Sequence, residues 1–326
     1  MKKLWIYLSG FAVLLFLFWL SLDLGILHLH RSVFALVGKH DVDATTVWQV
    51  RFPRALGAVI IGAGLGVAGA VAQGIFRNPL AEPTLIGLSS GATLGTISLI
   101  ASGASIYGTR ANIGAAVLAA AITAVLVQWL APNKGFGFLL TGIAVSAILT
   151  SLAGLLISIS PKPGIQSIAF WDFGSLTLLN NSTVGMIAPY IEIGVIICFF
   201  VSRKLDIYSL GESSAHYMGV NPKRLRLYAI IGLAFLIGAS VSAVGSIAFI
   251  GLLVPHIVRL LIGPAHRKML SLSALVGAIV LLLADLLART LFVPNEIPLG
   301  LLTSLLGAPA LIVLLRVRRA SWVSHD

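Results

Sequence analysis

The sequence has 326 residues, of which 58% are hydrophobic and 10% are charged, and its mean hydropathy is +1.02. A soluble domain carries about 25% charged residues, so this composition excludes an ordinary soluble protein and indicates a chain that lies in a bilayer. The net charge of +11 does not predict nucleic-acid binding, because the basic residues collect in short connections between apolar segments. The single cysteine, Cys198, excludes an internal disulfide and any multi-cysteine metal site.

The N-terminal segment imitates a secretory signal, because Lys2 and Lys3 precede an almost wholly apolar run from Leu4 to Leu22. The apolar region of a signal peptide has only about 7–15 residues, and no small-x-small cleavage site follows this run. We therefore expect an uncleaved first membrane span.

Apolar segments that resemble membrane spans follow one another along the whole chain. A helix needs roughly 20 apolar residues to cross the hydrocarbon core. The segments cover approximately 4–22, 52–74, 84–102, 111–131, 136–158, 183–202, 227–243, 246–263, 269–292 and 298–316. The sequence therefore predicts an all-α integral membrane protein with ten transmembrane helices in a single domain, residues 1–326. Two amphipathic segments, 26–50 and 165–179, are expected to lie on the outer membrane surface.

The distribution of Lys and Arg predicts the orientation of the chain. With the N-terminus inside, most basic residues fall on the cytoplasmic side, as the positive-inside rule requires. Both termini are then cytoplasmic, and the number of spans is even.

A polar, helix-prone segment from Leu210 to Val220 lies between the basic clusters Arg203-Lys204 and Lys223-Arg224-Arg226. We interpret this cytoplasmic segment as a surface offered to a soluble partner. No Gly-x-x-x-x-Gly-Lys-Ser/Thr pattern occurs in the sequence, so any nucleotide-driven work must come from that partner.

The glycines of the second span allow two interpretations. Gly64, Gly66 and Gly69 match a dinucleotide-binding pattern, and Glu82 follows at a suitable distance. That pattern has meaning only at a strand-to-helix turn, whereas here it lies inside an apolar span. We therefore favour close helix packing, which small residues permit in lipid. Two stripes at a spacing of four residues support it: Gly62, Gly66, Ala70 and Gly74, and then Gly87, Gly91 and Gly95.

Two arginines, Arg51 and Arg54, stand at the outer mouth of the second span. They could cover apolar surface with their stems while their charged heads stay in water. They could equally receive carboxylates of an outer partner as bidentate pairs. Arg289, at the outer end of the ninth span, is a similar case.

Asp285 lies in an apolar span, where a carboxylate suggests a proton relay. Arg289 follows four residues later on the same helix face, so we favour a local ion pair. His28, His30 and His40 could contact haem or a metal, although ordinary loop histidines are the simpler interpretation, and no metal site is predicted. His256 is expected to pack or to form hydrogen bonds. The sequence contains no recognisable catalytic constellation.

Several motifs together identify a resemblance. In chain order they are Arg51-Phe52-Pro53-Arg54, Arg77-Asn78-Pro79-Leu80-Ala81-Glu82-Pro83, Leu85-Ile86-Gly87, Phe170-Trp171 with Gly174-Ser175, Gly211-Glu212 with Ala215 and Gly219-Val220, Phe249-Ile250-Gly251-Leu252 with Pro255-His256 and Arg259, His266-Arg267, Ala284-Asp285 with Arg289, Glu296-Ile297-Pro298 with Gly300, and Gly307-Ala308-Pro309. Over almost its whole length, the chain resembles the FecCD-type permeases, the membrane subunits of ABC importers for ferric siderophores, haem and vitamin B12. Phe52 and Met218 depart from the leucines usual there.

The resemblance implies a type II ABC importer permease fold with ten helices and a homodimer whose interface forms the translocation path. Two cytoplasmic ABC ATPase subunits and one extracytoplasmic substrate-binding protein would be its partners. The chain itself would carry no cofactor, since ATP and Mg²⁺ belong to the ATPase.

The resemblance also assigns site residues. Within a cytoplasmic coupling loop over about 203–226, the ATPase-coupling residues would be Gly211, Glu212, Ala215, Gly219 and Val220. Docking of the binding protein would fall to Arg51, Arg54 and Arg289. The translocation pathway would be lined by Thr141, Gly142 and Ser146.

These features predict a permease of the bacterial cytoplasmic membrane that imports an iron chelate, ferric siderophore or haem, by alternating access. Vitamin B12 is the alternative cargo. A secondary transporter would show several intramembrane carboxylates or broken helices, of which this chain offers few. An intramembrane enzyme is disfavoured because its catalytic residues are missing.

Overall fold

The computed structural model of the chain describes residues 2–25, 41–103, 108–131, 136–160 and 171–323. Within these ranges all of the regular secondary structure is helical. In chain order the helices are α1 (Lys2–Asp23), α2 (Val42–Thr45) with a π-helical continuation (Thr46–Arg51), α3 (Phe52–Ile75), a 3₁₀ turn (Thr84–Ile86), α4 (Leu88–Ser102), α5 (Thr109–Leu130), α6 (Phe136–Ile159), α7 (Asn181–Tyr208), α8 (Glu212–Tyr217), α9 (Pro222–Val244), α10 (Ile250–Ile262), α11 (His266–Thr290) and α12 (Leu299–Val323). Each predicted apolar segment overlaps one helix of 13 residues or more.

Seven of these helices are long and apolar enough to cross a membrane. Two apolar helices are shorter: α4 has 15 residues and α10 has 13. The 15 residues of α4 rise only about 22 Å, less than the roughly 30 Å of a hydrocarbon core. The irregular segment before α4 is buried in protein at Ala81 and Glu82, which shields its backbone from lipid. Two of the ten predicted spans, those of α4 and α10, are therefore shorter than the sequence predicts.

The core is centred on α3, whose small residues let other helices approach its backbone. A Cβ atom added to Gly66 would lie 2.1 Å from the carbonyl oxygen of Ser273, and one added to Gly62 would lie 2.4 Å from that of Gly277. A Cβ atom on Gly69 would lie 1.8 Å from the carbonyl oxygen of Gly251 in α10. These contacts confirm helix packing as the reason for the glycines and exclude the strand-to-helix turn of a dinucleotide site.

Glu82, the acid that completes the dinucleotide pattern, also has a structural role. Its buried carboxylate accepts a hydrogen bond from the backbone N–H of Phe249, the residue that precedes α10. An acceptor at a helix N-terminus satisfies a donor that has no partner within the helix.

The second glycine stripe joins α4 to α5. A Cβ atom on Gly91 would lie 2.2 Å from Oγ1 of Thr123, and one on Gly95 would lie 2.6 Å from Cβ of Ala119. Both glycines therefore serve close packing, as predicted.

The two predicted surface segments differ in their outcome. Residues 26–40 lie outside the described ranges, while residues 42–51 form α2 and its π-helical continuation. The described part of the second segment, 171–179, is mainly a loop that packs into the bundle, with Leu176 and Leu179 buried. Ser175 N donates to the carbonyl of Val244, and Ser246 N donates to that of Asp172. This loop supplies partners for backbone groups between α9 and α10, and its position on the outer membrane surface stays a prediction.

Candidate functional site

Two polar regions lie at opposite ends of the bundle. We call the end that holds Arg51, Arg54 and Arg289 the arginine end, and the end that holds α8 the short-helix end. The 25 residues of α11 run from His266 at the short-helix end to Thr290, the neighbour of Arg289, at the arginine end, a rise of about 37 Å.

The short helix α8 is fixed at both ends by glycines that adopt conformations other residues avoid. Gly211 precedes it with φ of 118°, and Gly219 follows it with φ of 79°. Val220 N donates to the carbonyl of Ala215, and Gly219 N donates to that of His216, which is the hydrogen-bond pattern of a Schellman motif. The side chains of Ala215 and Val220 are buried, as the apolar contact of that motif requires.

The predicted coupling residues therefore build the short helix and present little of its surface. Glu212 and Gly219 are exposed, but Gly219 has no side chain and the Glu212 carboxylate lies 3.4 Å from Nη2 of Arg226. The apolar part of the surface comes from side chains that the sequence reasoning did not select: Leu210, Tyr217 and Met218 are 64%, 90% and 60% exposed. Exposed apolar side chains on an otherwise polar segment could have identified them.

Arg54 lies at the centre of an ionic network at the arginine end. Its Nε donates to Oδ1 of Asp285 at 2.8 Å, and its Nη1 donates to Oε1 of Glu296 at 3.0 Å. Arg289 Nε lies 3.5 Å from Oδ2 of Asp285, which confirms the predicted i, i+4 ion pair. The shorter Asp285 contact, to Arg54, was missed because 231 residues separate the two in sequence.

Glu296 joins this network from the loop between α11 and α12. Burial disfavours its charge, but hydrogen bonds from Arg54 and Thr177 and the positive charge of Arg54 outweigh burial and lower the pKa of the Glu296 carboxyl. The Thr177 hydroxyl donates to Oε2 of Glu296 at 2.7 Å. The network thus connects α3, α11 and two loops.

Arg51 and Arg289 satisfy the carbonyl groups at the end of α1. Arg51 Nη1 donates to the carbonyls of Leu22 and Asp23. Arg289 Nη1 donates to the carbonyl of Leu24 at 2.8 Å, and its Nη2 donates to that of Ser21 at 2.7 Å. The last carbonyls of a helix have no partner within it, so the two guanidiniums cap α1.

The structure thus brings all three predicted docking arginines together and buries them. Arg51, Arg54 and Arg289 are 4%, 7% and 4% exposed. A carboxylate of another protein would reach these guanidiniums only after they leave the internal network. Their role in docking stays a prediction.

The predicted pathway residues on α6 lie against other helices of the same chain. Thr141 Oγ1 donates to the carbonyl of Gly137 in its own helix. Gly142 is buried, and Ser146 Oγ lies 3.3 Å from the position of a Cβ atom on Gly87. Their role in the pathway stays a prediction, and the exposed polar residues of α6 include Thr150 and Ser151.

Among the described residues, no group of three or more His, Cys, Asp or Glu side chains is arranged to hold a metal ion. His28, His30 and His40 lie outside the described ranges. His256 is buried in α10, as expected of a histidine that packs.

The family of the chain follows from comparison with known proteins. The profile of the FecCD transport family matches residues 10–317. The chain belongs to the FecCD transport family. As a FecCD protein it is a permease subunit of the ABC importer type and a multi-pass membrane protein.

Relatives of this FecCD protein are named for several cargoes. The hemin transport system permease protein of Yersinia pestis is 41% identical over 281 residues, 84% of each chain. The Fe(3+)-citrate import system permease protein YfmE of Bacillus subtilis is 38% identical and covers 94% of this chain and 92% of its own. The vitamin B12 import system permease protein of Citrobacter koseri is 36% identical over 84% of each chain.

The fold of this FecCD protein also resembles solved structures. A metal-chelate type ABC transporter in an inward-facing conformation matches with a TM-score of 0.83 and 33% identity, and the match covers 95% of this chain and 98% of that chain. PsaBC from Streptococcus pneumoniae matches with a TM-score of 0.62 and 17% identity, which shows the fold alone.

Proposed function

We propose that this FecCD protein is the membrane-spanning permease of an ATP-driven importer that carries an iron chelate, ferric siderophore or haem, into the cytoplasm. The names of its hemin and ferric-citrate relatives support this cargo class. The relative named for vitamin B12 import keeps cobalamin as the alternative. The protein would lie in the bacterial cytoplasmic membrane with both termini inside.

We propose that the ATPase binds the short helix, at the short-helix end of the bundle. Tyr217 and Met218 expose apolar surface beside the charged Lys223 and Arg224, and burial of such a cluster is typical of a protein interface. Because the Schellman motif and two glycines fix the backbone, the helix can transmit a push from the ATPase without unwinding. ATP and Mg²⁺ would be held by that partner, one ATPase for each of two permease copies.

We place the docking of an extracytoplasmic binding protein at the arginine end. The loops there expose Phe173, Leu178 and Phe292, which are 48%, 72% and 64% exposed. Leu299 N donates to the carbonyl of Gly174, and Gly300 N donates to that of Phe173, so the two loops form one surface. Direct contact of Arg51, Arg54 and Arg289 with partner carboxylates is part of this proposal.

A translocation path between two copies of the chain completes the proposal. In this arrangement α6 lies beside the path, with Thr141, Gly142 and Ser146 as the predicted lining residues. The support is the resemblance to FecCD permeases together with the exposed apolar face of α6, where Ile143 and Leu155 are 51% and 58% exposed.

ATP-driven uptake into proteoliposomes tests the proposal. The chain is purified with its ATPase and binding protein, and haemin, ferric citrate, a ferric hydroxamate and cyanocobalamin are offered as cargo. We expect uptake of one chelate that requires both partners. Tyr217→Ala should weaken assembly with the ATPase, whereas Tyr228→Ala, at a tyrosine on α9 that is 50% exposed, is the matched control.

The secondary transporter remains the second candidate and predicts a different result. Uptake by the chain alone, driven by an ion gradient, would establish it. The structure disfavours it because Asp285, a carboxylate buried in a span, is engaged by Arg54 and Arg289.

A further inference from the structure

The last turn of α7 joins the short helix to two other elements through Tyr208. This tyrosine is 1% exposed and lies four residues before Glu212. The guanidinium carbons of Arg77 and Arg226 lie 5.0 Å and 5.8 Å from the centre of its ring. Its hydroxyl accepts a hydrogen bond of 2.7 Å from Nη2 of Arg226. Cation–π contacts of this kind hold the segment after α3 and the start of α9 against the end of α7.

Asp206 makes a second junction at the same turn. Its Oδ1 accepts hydrogen bonds from the backbone N–H of His266 at 2.8 Å and pairs with Nδ1 of the same residue at 2.7 Å. His266 is the first residue of α11, and its imidazole lies against α3, where a Cβ atom on Gly74 would be 2.5 Å from Nε2. Asp206 therefore connects the end of α7 to both central helices.

The connection between Tyr208 and the short helix is short and hydrogen-bonded. Ser209 N donates to the carbonyl of Leu205, Leu210 N to that of Ile207, and Gly211 N to that of Tyr208. A displaced short helix would therefore pull the end of α7 with it.

The central helices carry that displacement to the other end of the bundle. Gly277 and Gly62 approach so closely that a Cβ atom on Gly277 would lie 2.2 Å from the carbonyl oxygen of Gly62. At the arginine end the Arg54–Asp285 ion pair joins the same two helices again. Packed backbones with an ion pair at one end and a hydrogen-bonded junction at the other move as one body.

We propose that Asp206 and Tyr208 are positioning residues that tie the short helix to α3 and α11, so that its displacement reaches the arginine end as a rigid-body movement. This inference rests on the proposed function of the short helix as the ATPase contact. Neither residue touches the cargo or the nucleotide. Both act by preventing the movement from being absorbed locally.

The test measures cargo transported per ATP hydrolysed in the complete complex in proteoliposomes, with the four cargoes named above. Tyr208→Ala and Asp206→Ala are each expected to lower this ratio at least about 5-fold, the lower range of coupling between linked sites, while ATP hydrolysis continues. Tyr208→Phe keeps the ring and Asp206→Asn keeps an acceptor, so each should lower the ratio by only about 2-fold. Tyr228→Ala should leave it unchanged.

Two results would overturn the inference. One is that the alanine variants assemble and keep the wild-type ratio of cargo transported per ATP hydrolysed. This includes the case in which transport and hydrolysis fall together, as a merely structural role predicts. The other is a wild-type ratio in both Tyr208→Phe and Asp206→Asn, which decides the matter if the alanine variants do not assemble.

A second measurement does not depend on the cargo. Spin labels at Ser213→Cys and Leu291→Cys report the distance between the two ends of one chain. This distance should stay constant in the wild-type complex when ATP binds and should change in the Tyr208→Phe, Asp206→Asn double variant. A distance that already changes in the wild type contradicts rigid coupling. Loss of ATP-dependent uptake by the wild type with every cargo is a separate result, which refutes the proposed function.

Discussion

Replacing Asp285 with alanine is expected to destabilise the protein more than the loss of one hydrogen bond would. In the wild type, Arg54 and Arg289 face Asp285 and Glu296, so two positive charges are balanced by two negative charges. The variant leaves two guanidiniums against one carboxylate. The side chains of Asp285 and Arg54 are 0% and 8% exposed, so water does not compensate for the missing charge.

The size of the effect follows from this burial. Removal of one partner from a buried ion pair costs about 3–5 kcal/mol, because the remaining charge is buried without compensation. Polar contacts inside membrane proteins are often weaker, because the unfolded chain in lipid also finds partners, so we expect a value of about 3 kcal/mol. The double variant Arg54→Met, Asp285→Leu removes one charge of each sign and should be less destabilised than Asp285→Ala alone.

Equilibrium unfolding by SDS in mixed micelles measures these free energies. Arg110→Ala is the control, because Arg110 is an exposed charge in the first turn of α5, outside the predicted span 111–131. The reasoning is refuted if Asp285→Ala stays within about 0.5 kcal/mol of the wild type, the usual range for a neutral surface substitution. It is also refuted if the charge-balanced double variant is less stable than the single variant.

Three further predictions concern other parts of the protein. The pKa of Glu296 is lowered in the folded state despite burial, because Arg54 and Thr177 stabilise its charge. The stabilisation by Glu296 is therefore present above the unfolded pKa of about 4.3 and is lost as the pH falls through the folded pKa. In SDS unfolding, the stability difference between Glu296→Gln and wild type should be largest at pH 7 and vanish in acid, and a constant difference would contradict this. Gly69→Ala should prevent α3 from packing on α10 and lower the yield of monodisperse protein in gel filtration, whereas Gly114→Ala, where a Cβ atom meets nothing within 4 Å, should not. At Gly219, φ of 79° favours glycine or asparagine but little else, so Gly219→Val should lower the stability of the turn by about 1–2 kcal/mol. This variant should lose ATP-driven uptake while the bundle still assembles, whereas Gly219→Asn should retain uptake. Uptake at the wild-type rate by the valine variant would disprove the role of this turn.

The positions of the helices were largely predictable from the sequence, because hydropathy and helix formation depend on residues close together in the chain. The glycine stripes were predictable for the same reason: a spacing of four places small residues on one face of a helix, and only backbone contact uses such a face. The partners of the stripes were not predictable. Gly66 meets Ser273 and Gly69 meets Gly251, and nothing local to α3 specifies either contact.

The sequence located the coupling segment, but only the structure shows which of its residues are buried and which shape its turns. Ala215 and Val220 are buried, and Gly211 and Gly219 shape the turns. Which face of a six-residue helix points outward depends on how its ends are anchored to α7 and α9, and that anchoring involves Tyr208 and Arg226.

The sequence by itself determined the membrane class, the helices and the end of the bundle to which each charged residue belongs. Only the tertiary structure decided what those charges do. Arg54 pairs with Glu296 across 242 residues, and Arg51 and Arg289 cap the end of α1 through its backbone carbonyls. In a low-dielectric interior a charge is stabilised only by groups that are close in space. The fold decides which groups these are, whatever their separation in the sequence.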